Sequence, residues 1–80
     1  MAQYILYSTW GCHLCEEAEA LLIAAGLEFQ VVDIIDDEQL LQQFRLHIPV
    51  ISADDNLLYW PFDQAAVGNW LETIKVKESK

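Results

Sequence analysis

Positive charge is scarce in this sequence. Four Lys and Arg residues stand against thirteen Asp and Glu, a net charge of −9 over 80 residues. Three of the four cations, Lys75, Lys77 and Lys80, crowd the C-terminal end. Nucleic acids and anionic membrane surfaces reward clustered Lys and Arg, so neither is expected as a partner. Neutral or basic proteins are the easier partners, or the acidity only keeps the domain soluble, which accounts for the larger share of it. Long apolar runs are missing as well: none approaches the ~18 residues of a membrane span, and "YILY" near the start lacks the basic flank of a secretory leader. A cytoplasmic chain is the expectation. There are only three Gly and two Pro, and no linker, repeat or low-complexity stretch interrupts the chain. Cysteine is limited to two residues, too few for a disulfide framework. In the cytosol such a pair serves catalysis or metal binding more often than stapling.

What is present is a dense apolar complement, 54% of residues, with three each of Trp, Tyr and Phe. That suits a single domain over residues 1–80, a size that buries only about 60–65% of the surface its unfolded chain exposes. "QYILY" (residues 3–7) reads as a strand covered on both faces. Ser8 to Gly11 is a loop. From Cys12 the apolar positions become Leu14, Cys15, Ala18, Leu21, Leu22 and Ala25, a helical spacing with Glu16, Glu17 and Glu19 opposite, and Gly26 is a natural stop. "LEFQVVDII" (27–35) suits a second strand, at a sheet edge. Asp36 or Asp37 caps a helix with Leu40, Leu41 and Phe44 inward, which ends before Ile48 because Pro49 forces its predecessor out of the α region. "PVIS" and "LLYW" flank "ADDN" as a hairpin. Pro61 opens a last helix with Val67, Trp70, Leu71 and Ile74 inward. Gly68 weakens that helix unless a neighbour packs closely against it, and "KVKESK" frays. The first two strands, joined through a helix, are expected to be parallel.

The two cysteines sit at the loop–helix boundary in "YSTWGCHLCEEAEALL" (7–22). There the backbone N–H groups have no helical partner and the macrodipole is positive, which stabilises a thiolate at Cys12. Cys15 lies about one turn further along the same face, near enough for the sulfurs to bridge. Cys12 is then the attacking thiol and Cys15 the resolving one. Two other readings stay open. The pair supplies two of the four ligands that a structural zinc needs, with His13 pointing elsewhere on the helix and His47 reachable only through a folded-back loop; or the thiols are buried and inert.

"LYSTWGCHLCEEAEALL", followed by "IPV" and a hairpin, resembles the glutaredoxin-like branch of the thioredoxin superfamily over nearly the whole chain. The resemblance implies an α/β thioredoxin-like fold, a four-stranded mixed sheet with three flanking helices in the order βαβαββα. It also implies a cis Ile48–Pro49 bond in a loop facing the sulfurs, where an extended substrate segment could pair. Without it, Pro49 reads as a trans proline opening a strand.

Members of that branch that use glutathione carry a Lys or Arg just before the motif and a Gly-Gly stretch after the last strand. Here Thr9-Trp10 and "PFDQAA" stand in those places, and Glu16, Glu17 and Glu19 repel an anionic tripeptide. Glutathione remains possible with charge against it, and a glutathione-ligated cluster is disfavoured likewise. The glutamates oppose a thiolate at Cys12, a protonated His13 favours it, and a solvated helix face explains them as well. Trp10 is either a platform beside the sulfurs or a core aromatic. Arg45 meets a ligand or salt-bridges within the domain, His47 is a loop histidine, and Tyr59, Trp60 and Trp70 read as packing.

The sequence thus predicts a thiol–disulfide oxidoreductase acting on protein or mixed disulfides. Cys12 and Cys15 are catalytic, and Trp10, His13, Arg45, Ile48 and Pro49 bind substrate. No cofactor is tightly bound beyond the Cys12–Cys15 disulfide, no metal is held, and the partners are a protein thiol or disulfide and a reductant. A monomer is expected. The alternatives are a non-catalytic binding module that uses the Pro49 loop and a metal or iron–sulfur carrier completed by a second subunit.

Overall fold

Alternating apolar residues in the strands sort onto the two sides of one sheet, and each side is covered by helices. The computed structural model describes residues 3–54 and 56–78. Strands β1 (Tyr4–Ser8), β2 (Gln30–Asp33), β3 (Val50–Ala53) and β4 (Asn56–Tyr59) alternate with helices α1 (His13–Ala24), α2 (Glu38–Phe44) and α3 (Gln64–Glu78). The sheet order is β2-β1-β3-β4. β1 and β2 are parallel, with Leu6 beside Val31 and Ser8 beside Asp33. β3 runs antiparallel to β1, with Tyr7 opposite Val50, and to β4, with Val50 opposite Tyr59.

One side of the sheet packs on α1 and α3 through Leu6, Ala18, Leu22, Ile51, Phe62 and Val67, with Trp60 and Trp70 against them. On the other side α2 covers Val50 with Phe44, and Ile34 joins them. Tyr7 stacks on Phe44 at 4.8 Å between ring centroids. Burying each large aliphatic or aromatic side chain is worth about 1.5–3 kcal/mol, so these two clusters carry the fold.

Element ends follow local hydrogen bonding. α1 closes on Gly26, whose φ of +77° suits glycine, with Leu27 N donating to Leu22 O at 3.1 Å in a Schellman arrangement. Asp37 is the cap of α2, its Oδ1 accepting from Gln39 N at 2.9 Å and Leu40 N at 3.2 Å. The β3–β4 hairpin turns through Asp54, at φ +56°; Asp55 of the "ADDN" turn lies outside the described residues.

Several expectations need correcting. The second strand is shorter than 27–35, because the Asp33 carboxylate accepts from Ile35 N at 3.0 Å and folds Ile34–Asp36 into a 3-10 turn. α3 begins at Gln64 rather than Pro61: Asp63 supplies the cap, accepting from Ala66 N at 2.8 Å, and the Trp60–Pro61 bond is cis. α3 is assigned to Glu78; Ser79 and Lys80 of the end expected to fray lie outside the described residues. Leu14 and Ala25, assigned to the inner stripe of α1, are exposed, because the ends of α1 carry them beyond the packed stripe of Cys15, Ala18 and Leu22. Among the described residues no neighbour packs on Gly68: a Cβ there would meet nothing within 4 Å.

Candidate functional site

Parallel pairing of β1 and β2 and antiparallel pairing of β1 and β3 bring four chain segments to one end of the sheet. Tyr7 faces Val50, so the loop leaving β1 toward Cys12 and the Pro49 loop entering β3 lie side by side. The turn after β2 and the end of β4 reach the same end. The fold therefore gathers residues 9–15, 34–36, 45–49 and 59–61 into one rim.

Cys12 is the N-cap of α1, in extended conformation at φ −87° and ψ 109°, and its sulfur accepts from Cys15 N at 3.1 Å. Its carbonyl accepts from Glu16 N at 3.2 Å. Cys12 and Cys15 form a disulfide with their Cα atoms 5.2 Å apart, a usual bridging distance. Exposure separates the two sulfurs' residues: Cys15 is buried, at 3% exposure, while Cys12 is partly exposed. In the reduced protein the amide at the helix start favours negative charge on the Cys12 sulfur.

Pro49 is fully buried and follows a cis bond from Ile48. Its carbonyl accepts from Trp60 N at 3.2 Å, and Ile48 N donates to Phe44 O at 3.0 Å. That N–H is already engaged, so an incoming strand cannot use it.

The other sequence-selected residues divide. Trp10 stands in the turn before the motif and is 93% exposed, which rules out a core role. His13 points to solvent, its Nδ1 3.6 Å from Glu16 Oε2, an exposed pair of little energetic weight. Arg45 follows α2, exposed, and makes no ion pair among the described residues. The salt bridge considered for it is absent there. His47 lies edge-on to Tyr59 at 5.4 Å, and Tyr59, read as packing, is half exposed. Trp60 and Trp70 do pack, on Phe62 and Tyr4 respectively.

The residues not selected from sequence are the rim's apolar members Leu14, Ile35, Leu46 and Tyr59, all exposed. Leu46 had a signal. It falls two positions after Phe44, off the 40–41–44 inner stripe, where a helical residue faces outward.

Similarity agrees with this geometry. A family model described as Glutaredoxin-like domain (DUF836) matches residues 3–72. The chain belongs to the glutaredoxin-like family. The X-ray structure of the X. campestris protein XcR50 is 35% identical to this glutaredoxin-like chain, with TM-score 0.81, covering 88% of this chain and 96% of that one. Its solution structure gives 36% identity and TM-score 0.80, with coverage of 91% and 95%. Protein Ne2328 from Nitrosomonas europaea is 29% identical, with TM-score 0.74, over 86% of this chain and 89% of that one. No curated protein matches the chain. The glutaredoxin-like domain and its close cysteine pair fit a thioredoxin-fold redox protein. No helix among the described residues is long and apolar enough to cross a membrane.

Proposed function

We propose that this domain is a thiol–disulfide oxidoreductase for protein disulfides or mixed disulfides. The observation that carries the reading is the asymmetry of the pair: Cys12, a partly exposed residue whose sulfur accepts from the amide at the start of α1, beside a buried Cys15. The Cys12 thiolate attacks one sulfur of the substrate disulfide; that S–S bond breaks and its other sulfur leaves as thiolate. Cys15, as thiolate, then attacks the Cys12 sulfur, closes the Cys12–Cys15 bridge and releases the second substrate thiol. Two electrons pass from the domain to the substrate, and a cellular thiol reductant returns them. Ile48, with the buried Pro49 behind it, is assigned to the substrate side of the pair, and Trp10, His13 and Arg45 surround the substrate. The charge around the motif disfavours glutathione as the co-substrate. The domain works as a cytoplasmic monomer with no resident metal or tightly bound cofactor.

Equilibrating the protein in defined thiol buffers tests this. A reversible two-electron potential between roughly −180 and −280 mV is expected, the range of working oxidoreductases. Failure of Cys12 and Cys15 to form a bridge under oxidising buffers ends the dithiol mechanism and leaves the binding module or metal carrier.

A further inference from the structure

The exposed large hydrophobic residues are unevenly placed. Trp10, Leu14, Ile35, Leu46 and Tyr59 all lie on the rim that holds Cys12; of the described exposed set only Ile23 and Val31 lie elsewhere. Four strands spaced about 4.8 Å apart make this end of the sheet roughly 15 Å wide, and the five residues belong to the segments that leave or enter it. Trp10 and Leu46 are 93% and 81% exposed, which supports neither element's packing. Exposed apolar area gathered in one place marks an interaction surface.

The charge beside that surface selects what covers it. Glu16 and Glu17 stand next to Leu14 in the first turns of α1, and Asp33, Asp36 and Asp37 bracket Ile35. Arg45 is the one Lys or Arg among the rim segments. A second copy of this chain, itself at −9, would bring like charge against like. So would an anionic small thiol or an anionic membrane. A protein segment with apolar residues for the rim and Lys or Arg on its flanks satisfies both features.

We infer that the rim around Cys12 docks a cationic, apolar-centred protein segment, and that the carboxylates of α1 and of the turn after β2 select it. This names the partner class for the proposed exchange reaction and rests on that reading for its redox meaning, but binding tests it separately. The probes are three short peptides with a common apolar centre, Ser in place of the reactive Cys, and flanks of Lys, Gln or Glu. They are titrated into the isotopically labelled oxidised domain and followed by NMR. The Lys-flanked peptide is expected to shift the Trp10 indole and the Leu46 and Tyr59 amides. It is expected to bind at least about ten times more tightly than the Glu-flanked one in about 0.01 M salt and to lose that preference in about 1 M salt, where the screening length falls from about 30 to about 3 Å. Leu46→Ser, a neutral change at an exposed position, should weaken all three peptides by removing apolar contact without altering the charge of the rim. The double variant E16Q/E17Q should reduce the Lys-over-Glu ratio and leave the Gln-flanked peptide unchanged.

Equal affinity for the three peptides overturns the inference, as does absence of saturation by about 1 mM. So does peptide-free, concentration-dependent shifting of the rim, which would assign it to self-association. A normal potential with flat peptide binding removes only this inference. A charge-ranked affinity in a domain whose cysteines never bridge removes only the redox reading.

Discussion

The backbone N–H of Cys15 points at the sulfur of Cys12 from 3.1 Å. In the proposed exchange the resolving residue thus also steadies the attacking sulfur, and it does so through its main chain. Serine at position 15 keeps that N–H and removes only the second thiol. Cys12→Ser is therefore expected to abolish turnover. Cys15→Ser is expected to retain the first attack and accumulate a mixed disulfide, visible by intact mass after reaction with a model disulfide. Equal residual turnover in the two variants would contradict the division of labour.

Gly68 lies mid-helix in α3 with open space around it. Replacing it with alanine removes backbone freedom from the unfolded chain and meets no obstacle. Gly68→Ala is expected to stabilise the domain by about 0.5–1 kcal/mol. In a domain of this size that corresponds to a thermal midpoint raised by about 2–8 °C. A lower midpoint would mean that something contacts this face in solution.

Asp37 satisfies two amides at the start of α2, and α2 is a helix of only seven residues. Asp37→Ala is expected to cost about 1 kcal/mol, read from a denaturant midpoint, whereas Asp37→Asn should recover most of it. Loss of the carboxylate's charge alone would otherwise explain the effect, and the asparagine variant separates the two.

Phe44 carries more. It is 2% exposed and stacks on Tyr7, so truncation to alanine is expected to cost about 3–5 kcal/mol. At about 0.05–0.15 kcal/mol per residue, 80 residues give roughly 4–12 kcal/mol in total. Phe44→Ala should therefore lower the denaturant midpoint sharply, reaching unfolding at the low end of that range, and Phe44→Leu should lose less.

The arrangement of elements was legible because Leu6, Leu22, Phe44, Val67 and Ile74 follow the strand and helix periods that burial imposes. The motif's place was legible for the same reason: the apolar spacing changes at Cys12, where α1 begins. Element ends were harder. Ile34 and Ile35 carry strand-forming side chains, but a single carboxylate, Asp33, diverts them into a turn. Pro61 suits a helix start, yet Asp63 holds the cap. The site was legible at its sulfurs. On the rim the sequence pointed to Trp10 and Arg45 but not to the exposed apolar residues Leu14, Ile35, Leu46 and Tyr59. Tyr59 belongs to a residue type that ordinarily packs, and only the register of the sheet places it at the end where it stands half exposed beside His47.

Trp10 stands in solvent while Trp60 and Trp70 are set against the core beside Phe62 and Tyr4. The three indoles therefore form two optical populations. One emits from water next to the cysteines, open to collisional quenchers; the other emits from the packed interior and reports on whether the chain is folded. Quenching of Trp10 can thus follow occupancy of the rim and the shielded emission of Trp70 the integrity of the fold, with no label added, while Trp60, in the rim segment 59–61, reports on both.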